Sequence, residues 1–142
     1  MLAPITVLIA AGHNRARAAL EGLVESEPTL EHVASATNLA SSIRALRALH
    51  PELAVIDQAL LGHGGLDRLP LLAAVAPMTA FFVLGVETHP GFATRARRAG
   101  AAGYILLEEA AERLAPAARE AVLRPAWTAS ARRGGAAPES AP

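Results

Sequence analysis

Five short apolar runs recur along this 142-residue chain, and each is followed by a stretch with helical spacing. The runs are residues 5–10, 31–37, 53–57, 80–84 and 103–107, and the helical stretches are 15–25, 39–49, 66–76, 90–100 and 108–123. Strict alternation of this kind favours a parallel sheet with helices on both faces. Right-handed crossovers then favour the flavodoxin-like strand order 2-1-3-4-5. We therefore predict an α/β fold, a doubly wound parallel sheet of five βα units.

Prolines and capping residues predict several helix boundaries. Asn38 is a suitable cap for the second helix, and Thr88 or His89 for the fourth. Pro70 predicts a third helix that starts late or bends, because proline is tolerated only in the first turn. Pro116 predicts a kink or a later start of the fifth helix.

The alternating pattern ends near residue 123. We expect one domain over residues 1–123 and a flexible tail or linker over residues 124–142, which are rich in Ala, Pro, Gly and Ser. The first residues lack the basic start of a signal peptide, and no apolar run is long enough for a membrane helix. The expectation is a cytoplasmic protein that does not contact a membrane.

Composition excludes several kinds of chemistry. All 13 basic residues are Arg, the only aspartates are Asp57 and Asp67, and there is no Cys. Mechanisms that need a lysine, a thiolate or a cluster of aspartates are therefore excluded or nearly so. The formal net charge of +0 gives no overall field toward nucleic acid or membrane.

In a sheet of this order, ligands bind where the strands end at their carboxyl side. The first strand is followed by Ala11 and Gly12, and the third strand ends on Asp57. Gly85 follows the fourth strand, and Leu107 ends the fifth. Any functional site of this fold is expected among these positions.

Four segments in order, ITVLIAAGH, HPELAVID, QALLGHGGL and RRAGAAGYILLEE, resemble the receiver domain of response regulators in two-component signalling. The resemblance is nearest to receivers of NarL/FixJ-type transcription factors and covers roughly residues 4–123. It implies a phosphoacceptor aspartate, and Asp57 fills that position. It also implies an acidic pair, a Thr or Ser, and a Lys. Those positions are filled here by Ala11 and Gly12, by Gly85, and by Leu107. The acids of such a site hold Mg²⁺, so four of the five expected groups are absent here.

This resemblance predicts a degenerate receiver. Mg²⁺ needs carboxylate oxygens, and a phosphoryl group in transfer needs counter-charge, which one aspartate does not supply. Tyr104 stands where the family keeps its switch aromatic, and its plainer interpretation is a half-buried sheet residue. The small residue at Gly85 and the apolar Leu107 predict a larger, more apolar space that a small ligand could fill.

Other candidate sites are weaker. His13, His63 and His89, with Glu87 and Asp57, lie in loops at the same edge and could hold Zn²⁺, although ordinary loop histidines are the simpler interpretation and no metal is predicted. A Ser-His-Asp site is dismissed, since the serines are interpreted as lying in helices or the tail and none has a G-x-S-x-G setting.

Charged residues predict a possible interface on the fourth and fifth helices. The group is Arg95, Arg97, Arg98, Glu109, Glu112 and Glu120. A charge run is usually a solvated face. The resemblance implies instead that such residues pair across the two-fold axis of a homodimer. DNA contact is expected only through an output domain outside this chain.

The prediction is therefore a non-enzymatic pseudo-receiver, without cofactors, that acts by dimerisation or by binding a small ligand. Two alternatives stay open at this point. One is a receiver that accepts phosphate on Asp57 with weak metal binding, and the other is a scaffold that binds a protein partner.

Overall fold

The structure, a computed structural model, describes residues 3–123, without the side chains of residues 63 and 64. Its strands are β1 Ile5–Ala10, β2 Leu30–Ala36, β3 Leu53–Asp57, β4 Ala80–Gly85 and β5 Gly103–Leu106. They form one parallel sheet in the order β2-β1-β3-β4-β5. The predicted fold class and strand order are confirmed, and the predicted tail, residues 124–142, lies outside the described residues.

Helices cover both faces of the sheet. They are α1 Asn14–Glu25, α2 Leu39–Leu49, α3 Leu69–Val75, α4 Pro90–Arg98 and α5 Ala110–Val122. Successive β1 residues point to opposite faces, so Ile9 packs in the α1/α5 layer and Leu8 in the layer with α2, α3 and α4. β3 and β4 are buried along their whole length, as a sheet covered on both sides requires.

The predicted caps are present. The Asn38 side chain accepts from the Ser41 N–H in a capping box, and the His89 ring accepts from the Gly91 N–H with Pro90 in the first turn of α4. Pro70 lies in the first turn of α3, so that helix does start late.

Two predicted boundaries are wrong. β5 ends at Leu106, and Leu107–Glu109 form a 3₁₀ turn, so Leu107 follows the strand instead of ending it. α5 begins at Ala110 and continues through Pro116, which excludes the later start. The proline is tolerated because Leu114, Ala115 and Ala118 bury this helix against the sheet.

The amino ends of β1, β3 and β4, here called the amino edge, are joined by side-chain hydrogen bonds. The Thr6 N–H donates to Glu52 Oε1 at 3.1 Å, and the Glu52 N–H donates to Thr6 Oγ1 at 2.9 Å. Thr79 Oγ1 donates to the Pro51 carbonyl at 2.6 Å and is only 2% exposed. These bonds fix how β1, β3 and β4 enter the sheet.

None of the helices in the described part of the chain combines the length and the apolar character needed to cross a membrane.

Candidate functional site

Asp57 is the charged group at the carboxyl edge, the name used here for the carboxyl ends of β1, β3, β4 and β5 with the residues that follow them. It ends β3 and is 6% exposed. Its Oδ1 accepts from the Ala59 N–H at 3.2 Å, which caps the 3₁₀ segment Gln58–Arg68. Within the described residues, no Arg or His forms an ion pair with this carboxylate.

The end of β1 offers no oxygen from a side chain. Ala11 is fully buried, and Gly12 lies so close to the next loop that a Cβ there would be 3.0 Å from the Thr37 carbonyl. Arg17 donates to the Ala11 carbonyl at 3.0 Å and to Asn14 Oδ1 at 2.7 Å. A cation bound to α1 and β1 therefore lies near the position at which a working receiver would have two acids.

Gly85, at the end of β4, is covered by two polar side chains. A Cβ at this position would lie 2.6 Å from the Tyr104 hydroxyl, and it would also overlap Gln58 Oε1. The space that a Thr or Ser side chain would take is therefore filled. Tyr104 and Gln58 fill this one point, and the expected apolar space is present beside them as a cavity that Gly85 and Leu107 both line.

Tyr104 is held in this position by several contacts. Its hydroxyl accepts from the Glu87 N–H at 2.8 Å and donates to Gln58 Oε1 at 3.4 Å. Its ring packs at 58° against Phe92, with 4.9 Å between centroids, and the Arg95 guanidinium lies over Phe92. Burial raises the pKa of the Tyr104 hydroxyl above its ordinary value, the Glu87 charge adds to the rise, and the hydrogen bond from Glu87 N–H opposes it.

Leu107, just after β5, brings no charge to the edge. It is half-buried and packs against the core of the α1/α5 layer. The residues after it are Glu108 and Glu109, at the beginning of the 3₁₀ turn that leads into α5. No positive group therefore stands at the position that the resemblance assigns to Lys.

The residues present do not fit the Mg²⁺ ion that the resemblance implies. Mg²⁺ requires near-octahedral oxygen ligands, and the site that the resemblance implies would offer it three carboxylates. Only Asp57 offers a carboxylate at the positions concerned. Across the described residues, no three His, Cys, Asp or Glu side chains come together in a group that could hold a metal ion.

The histidines predicted as a weak Zn²⁺ candidate serve other purposes where they are described. His13 is at the N-cap position of α1, without a side-chain capping bond, and His89 caps α4. The side chain of His63 lies outside the described residues.

A cavity of about 440 Å³ opens at the carboxyl edge. Its lining is mostly apolar, and the polar side chains that the described residues contribute are the Asp57 carboxylate, the His13 imidazole and the Gln58 amide. The apolar walls include Ala16, Val86 and Leu107. The sequence predicted an apolar space here, but not that it would lie on the Asp57 side of the Tyr104 and Gln58 contact.

The charged residues of α4 and α5 flank a second, smaller cavity of about 310 Å³. Arg97 lines it from α4, and Arg113 and Glu120 line it from α5. Of the other predicted interface residues, Arg95, Arg98 and Glu112 are exposed, and Glu109, at the N-cap position of α5, pairs with Arg113 at 2.9 Å.

Sequence reasoning missed one polar network on α1 and β2. His32 lies between Glu25 at 3.3 Å and Ser35 at 2.8 Å, and the Ser35 hydroxyl donates to Glu21 at 2.6 Å. Ser35 is on β2, so the statement that every serine lies in a helix or the tail is wrong. Its hydroxyl proton points at Glu21 and not at the imidazole, so the arrangement is not that of a serine nucleophile with its base.

The fold and the positions of Asp57, Gly85 and Tyr104 define the class of the chain: it has the architecture of a receiver domain. No protein-family model matches the sequence. The nitrate/nitrite response regulator protein NarL of Escherichia coli K12 is 28% identical over 118 residues, which cover 83% of this chain and 55% of NarL.

Two solved structures have the same fold. One is the signal receiver domain of the putative response regulator NarL from Mycobacterium tuberculosis, with a TM-score of 0.76, 18% identity and coverage of 87% of this chain and 99% of that chain. The other is a DNA-binding response regulator of the LuxR family from Staphylococcus aureus, with a TM-score of 0.71, 19% identity and coverage of 83% and 98%. The chain is thus a homologue of NarL-type response regulators, folds as their receiver domains do, and spans about half the length of the curated relatives it matches.

Proposed function

We propose that this chain is a regulatory, non-enzymatic receiver domain that works without Mg²⁺-dependent phosphorylation of Asp57. The observation that carries the proposal is the chemistry of the five positions that the resemblance assigns: Asp57 is their one carboxylate, with Ala11, Gly12 and Leu107 at the positions of the two acids and the lysine. Its output, in this proposal, is control of transcription, as the names of two relatives indicate for those proteins.

The physical argument concerns charge. Phosphoryl transfer depends on cations placed against the developing negative charge of the phosphoryl oxygens. In a receiver with all five groups, a metal ion held by three acids and a separate lysine would supply these cations. The residues described at this edge provide neither the three acids nor the lysine. Tyr104 and Gln58 also occupy the place of the Thr or Ser hydroxyl that would bind a phosphoryl oxygen.

The test is to treat the chain with acetyl phosphate and, separately, with beryllofluoride, each with and without Mg²⁺. Intact mass and backbone amide spectra are the measurements, and a receiver with all five groups is run in parallel as the positive control. We expect no Mg²⁺-dependent mass gain and no change in the amides of Ala59 and Gly85.

Asp57→Asn and Asp67→Asn are the matched variants, because Asp67 is the other aspartate of the chain and is exposed. A Mg²⁺-dependent mass gain that is lost in Asp57→Asn and kept in Asp67→Asn would overturn the proposal. It would establish the second candidate instead, a receiver that accepts phosphate on Asp57. That candidate is favoured by one observation, the presence of an aspartate at the end of β3.

We further propose that the α4/α5 surface joins two copies of this domain, and that DNA is contacted only through a separate output domain. Support comes from the exposed Arg residues of α4 beside the acids of α5, and from the net charge of zero. Light scattering after size exclusion tests this: Arg97→Glu is expected to shift the molecule to monomer, while Arg44→Glu on α2 is not. A monomeric wild type, or a dimer that survives Arg97→Glu, would favour a scaffold for other partners.

A further inference from the structure

The cavity at the carboxyl edge combines a buried carboxylate with apolar walls. Asp57 is 6% exposed and contributes to the lining. Its Oδ1 has the Ala59 N–H as partner, and no hydrogen bond from a described residue reaches Oδ2. A carboxylate with one backbone donor can accept further hydrogen bonds, and neither of the other polar side chains of the described lining, His13 and Gln58, donates one to it.

The walls supply the second half of the argument. Val86 is 73% exposed although it is aliphatic, and it lines the cavity together with the half-buried Leu107 and Ala16. At about 440 Å³ the cavity is within the size range of small-molecule sites, which are typically apolar with a few polar groups that fix orientation. The apolar body of a ligand would cover Val86 and Leu107 while its polar end met Asp57.

The sign of the charge selects the ligand. An anion would be repelled by Asp57, and an uncharged apolar molecule would leave the carboxylate without a partner. An ammonium ion would give it a charge-assisted hydrogen bond, the stronger type of hydrogen bond in proteins. We propose that this cavity binds a small organic ammonium ion with an apolar body, the ammonium group on Asp57 and the body against Val86, Leu107 and Ala16.

This inference rests on the proposed function, because an aspartate that accepted a phosphoryl group under Mg²⁺ would not serve as a standing ligand site. The two fail in different experiments. Beryllofluoride tests the chemistry of phosphorylation, and ammonium binding is measured without Mg²⁺ or phosphate. Mg²⁺-dependent binding of beryllofluoride would overturn the proposed function, whether or not ammonium ions bind. An absence of ammonium binding would overturn only the proposal of an ammonium ligand.

The probes are benzylammonium, n-butylammonium and phenethylammonium, with benzyl alcohol and benzoate as matched neutral and anionic molecules. Amide spectra of the full chain at neutral pH are recorded during titration with each. We expect saturable shifts at Ala59, Gly85 and Val86 with the ammonium ions, and binding of benzyl alcohol and benzoate weaker by about tenfold or more.

Two Asp→Asn variants distinguish binding in the cavity from binding to an exposed carboxylate. Asp57→Asn keeps the shape and the acceptor for Ala59, and we expect it to weaken benzylammonium binding at least about tenfold. Asp67→Asn removes an exposed carboxylate and is expected to leave binding unchanged. Thermal unfolding of both variants checks that they fold.

Three results overturn the inference. The first is an absence of saturable shifts with all three ammonium ions. The second is equal binding of benzylammonium and benzyl alcohol, which would make the cavity merely apolar. The third is an equal loss of binding in Asp57→Asn and Asp67→Asn, which would reduce the effect to net charge.

Discussion

The polar groups at the two edges of the sheet differ in how fully they are hydrogen-bonded. At the amino edge, the Thr6 and Glu52 side chains each accept from the other residue's backbone N–H, and Thr79 donates to the Pro51 carbonyl, with bonds of 2.6–3.1 Å. At the carboxyl edge, Asp57 has one backbone donor at 3.2 Å and borders a cavity. The first end is closed and structural, and the second is open and carries a buried charge.

This difference indicates which polar residues stabilise the fold and which do not. Bonds at the amino edge tie three central strands to their entry points, so their loss must cost stability. A carboxylate with a single neutral partner contributes little to stability and fits a binding role better. Measured free energies of unfolding should therefore separate the two edges.

The largest expected effect is at the amino edge. Thr79→Val keeps the shape of the side chain but removes the donor to the Pro51 carbonyl, which then stays buried without it. We expect the free energy of unfolding to fall by about 1–3 kcal/mol. Thr94→Val, at an exposed position of α4, is the matched control and should change it little. A loss no greater than that of Thr94→Val in denaturant unfolding would remove the contrast between the edges.

Gly85→Ala is expected to have the next largest effect. The new Cβ collides with the Tyr104 hydroxyl and the Gln58 amide, and relief requires that both of them move. Overpacking of this size lowers the free energy of unfolding by about 1–2 kcal/mol.

Gly22→Ala is the control for this glycine. It lies inside α1 with nothing within 4 Å of its Cβ, so alanine should stabilise the domain by about 0.5–1 kcal/mol. Opposite signs for the two Gly→Ala changes are expected from urea unfolding curves, and a stabilising Gly85→Ala would contradict the geometry of the edge.

Asp57→Asn should have a smaller effect on stability. Asparagine keeps the oxygen that accepts from Ala59 and removes the buried charge, so we expect a change within about 1 kcal/mol, on the stabilising side. The comparison with Thr79→Val in the same denaturant series is the measurement. A loss larger than that of Thr79→Val would mean that Asp57 is a structural residue, and the contrast of the two edges would fail.

The smallest effect is the ionisation of Tyr104. Its pKa is raised from the ordinary 10.0, chiefly by burial, so the folded state holds this proton more tightly than the unfolded chain. The resulting stability is complete below pH about 10 and declines as the pH rises through the raised value. Tyr104 is the one tyrosine of the chain, so tyrosinate absorbance reports it alone.

In Gly85→Ala this titration should move back toward that of the unfolded chain, because the ring is displaced from its buried position. An identical titration in wild type and Gly85→Ala would show that Gln58, and not Tyr104, had yielded to the new methyl group.

The sequence carried most of the fold and only part of the site. Alternation of apolar runs with helical stretches fixes the strand order through handedness, and Asn38 and His89 are capping residues whose role is local. The contact of Tyr104 with Gln58 joins residues 46 positions apart and depends on the absence of a side chain at Gly85. No local pattern encodes such a contact, so the filled space at Gly85 and the displaced cavity could not be predicted.

The position of Leu107 shows the same limit on a smaller scale. Its apolar side chain continues the β5 pattern, and the expected strand therefore included it. Backbone geometry ends the strand one residue earlier, where the 3₁₀ turn begins. Hydrophobic pattern identifies a buried position but not which backbone conformation buries it.

The crowding at Gly85 also sets an order on any attempt to rebuild a phosphorylation site here. Threonine or serine placed at position 85 first would meet Tyr104 and Gln58 before it could meet a phosphoryl oxygen. Acidic residues substituted for Ala11 and Gly12 could bind a metal ion, but the position of the Thr or Ser hydroxyl would still be blocked by Tyr104 and Gln58. An engineer must therefore clear Gln58 and turn Tyr104 outward before adding anything, so no single substitution would install all five groups of such a site.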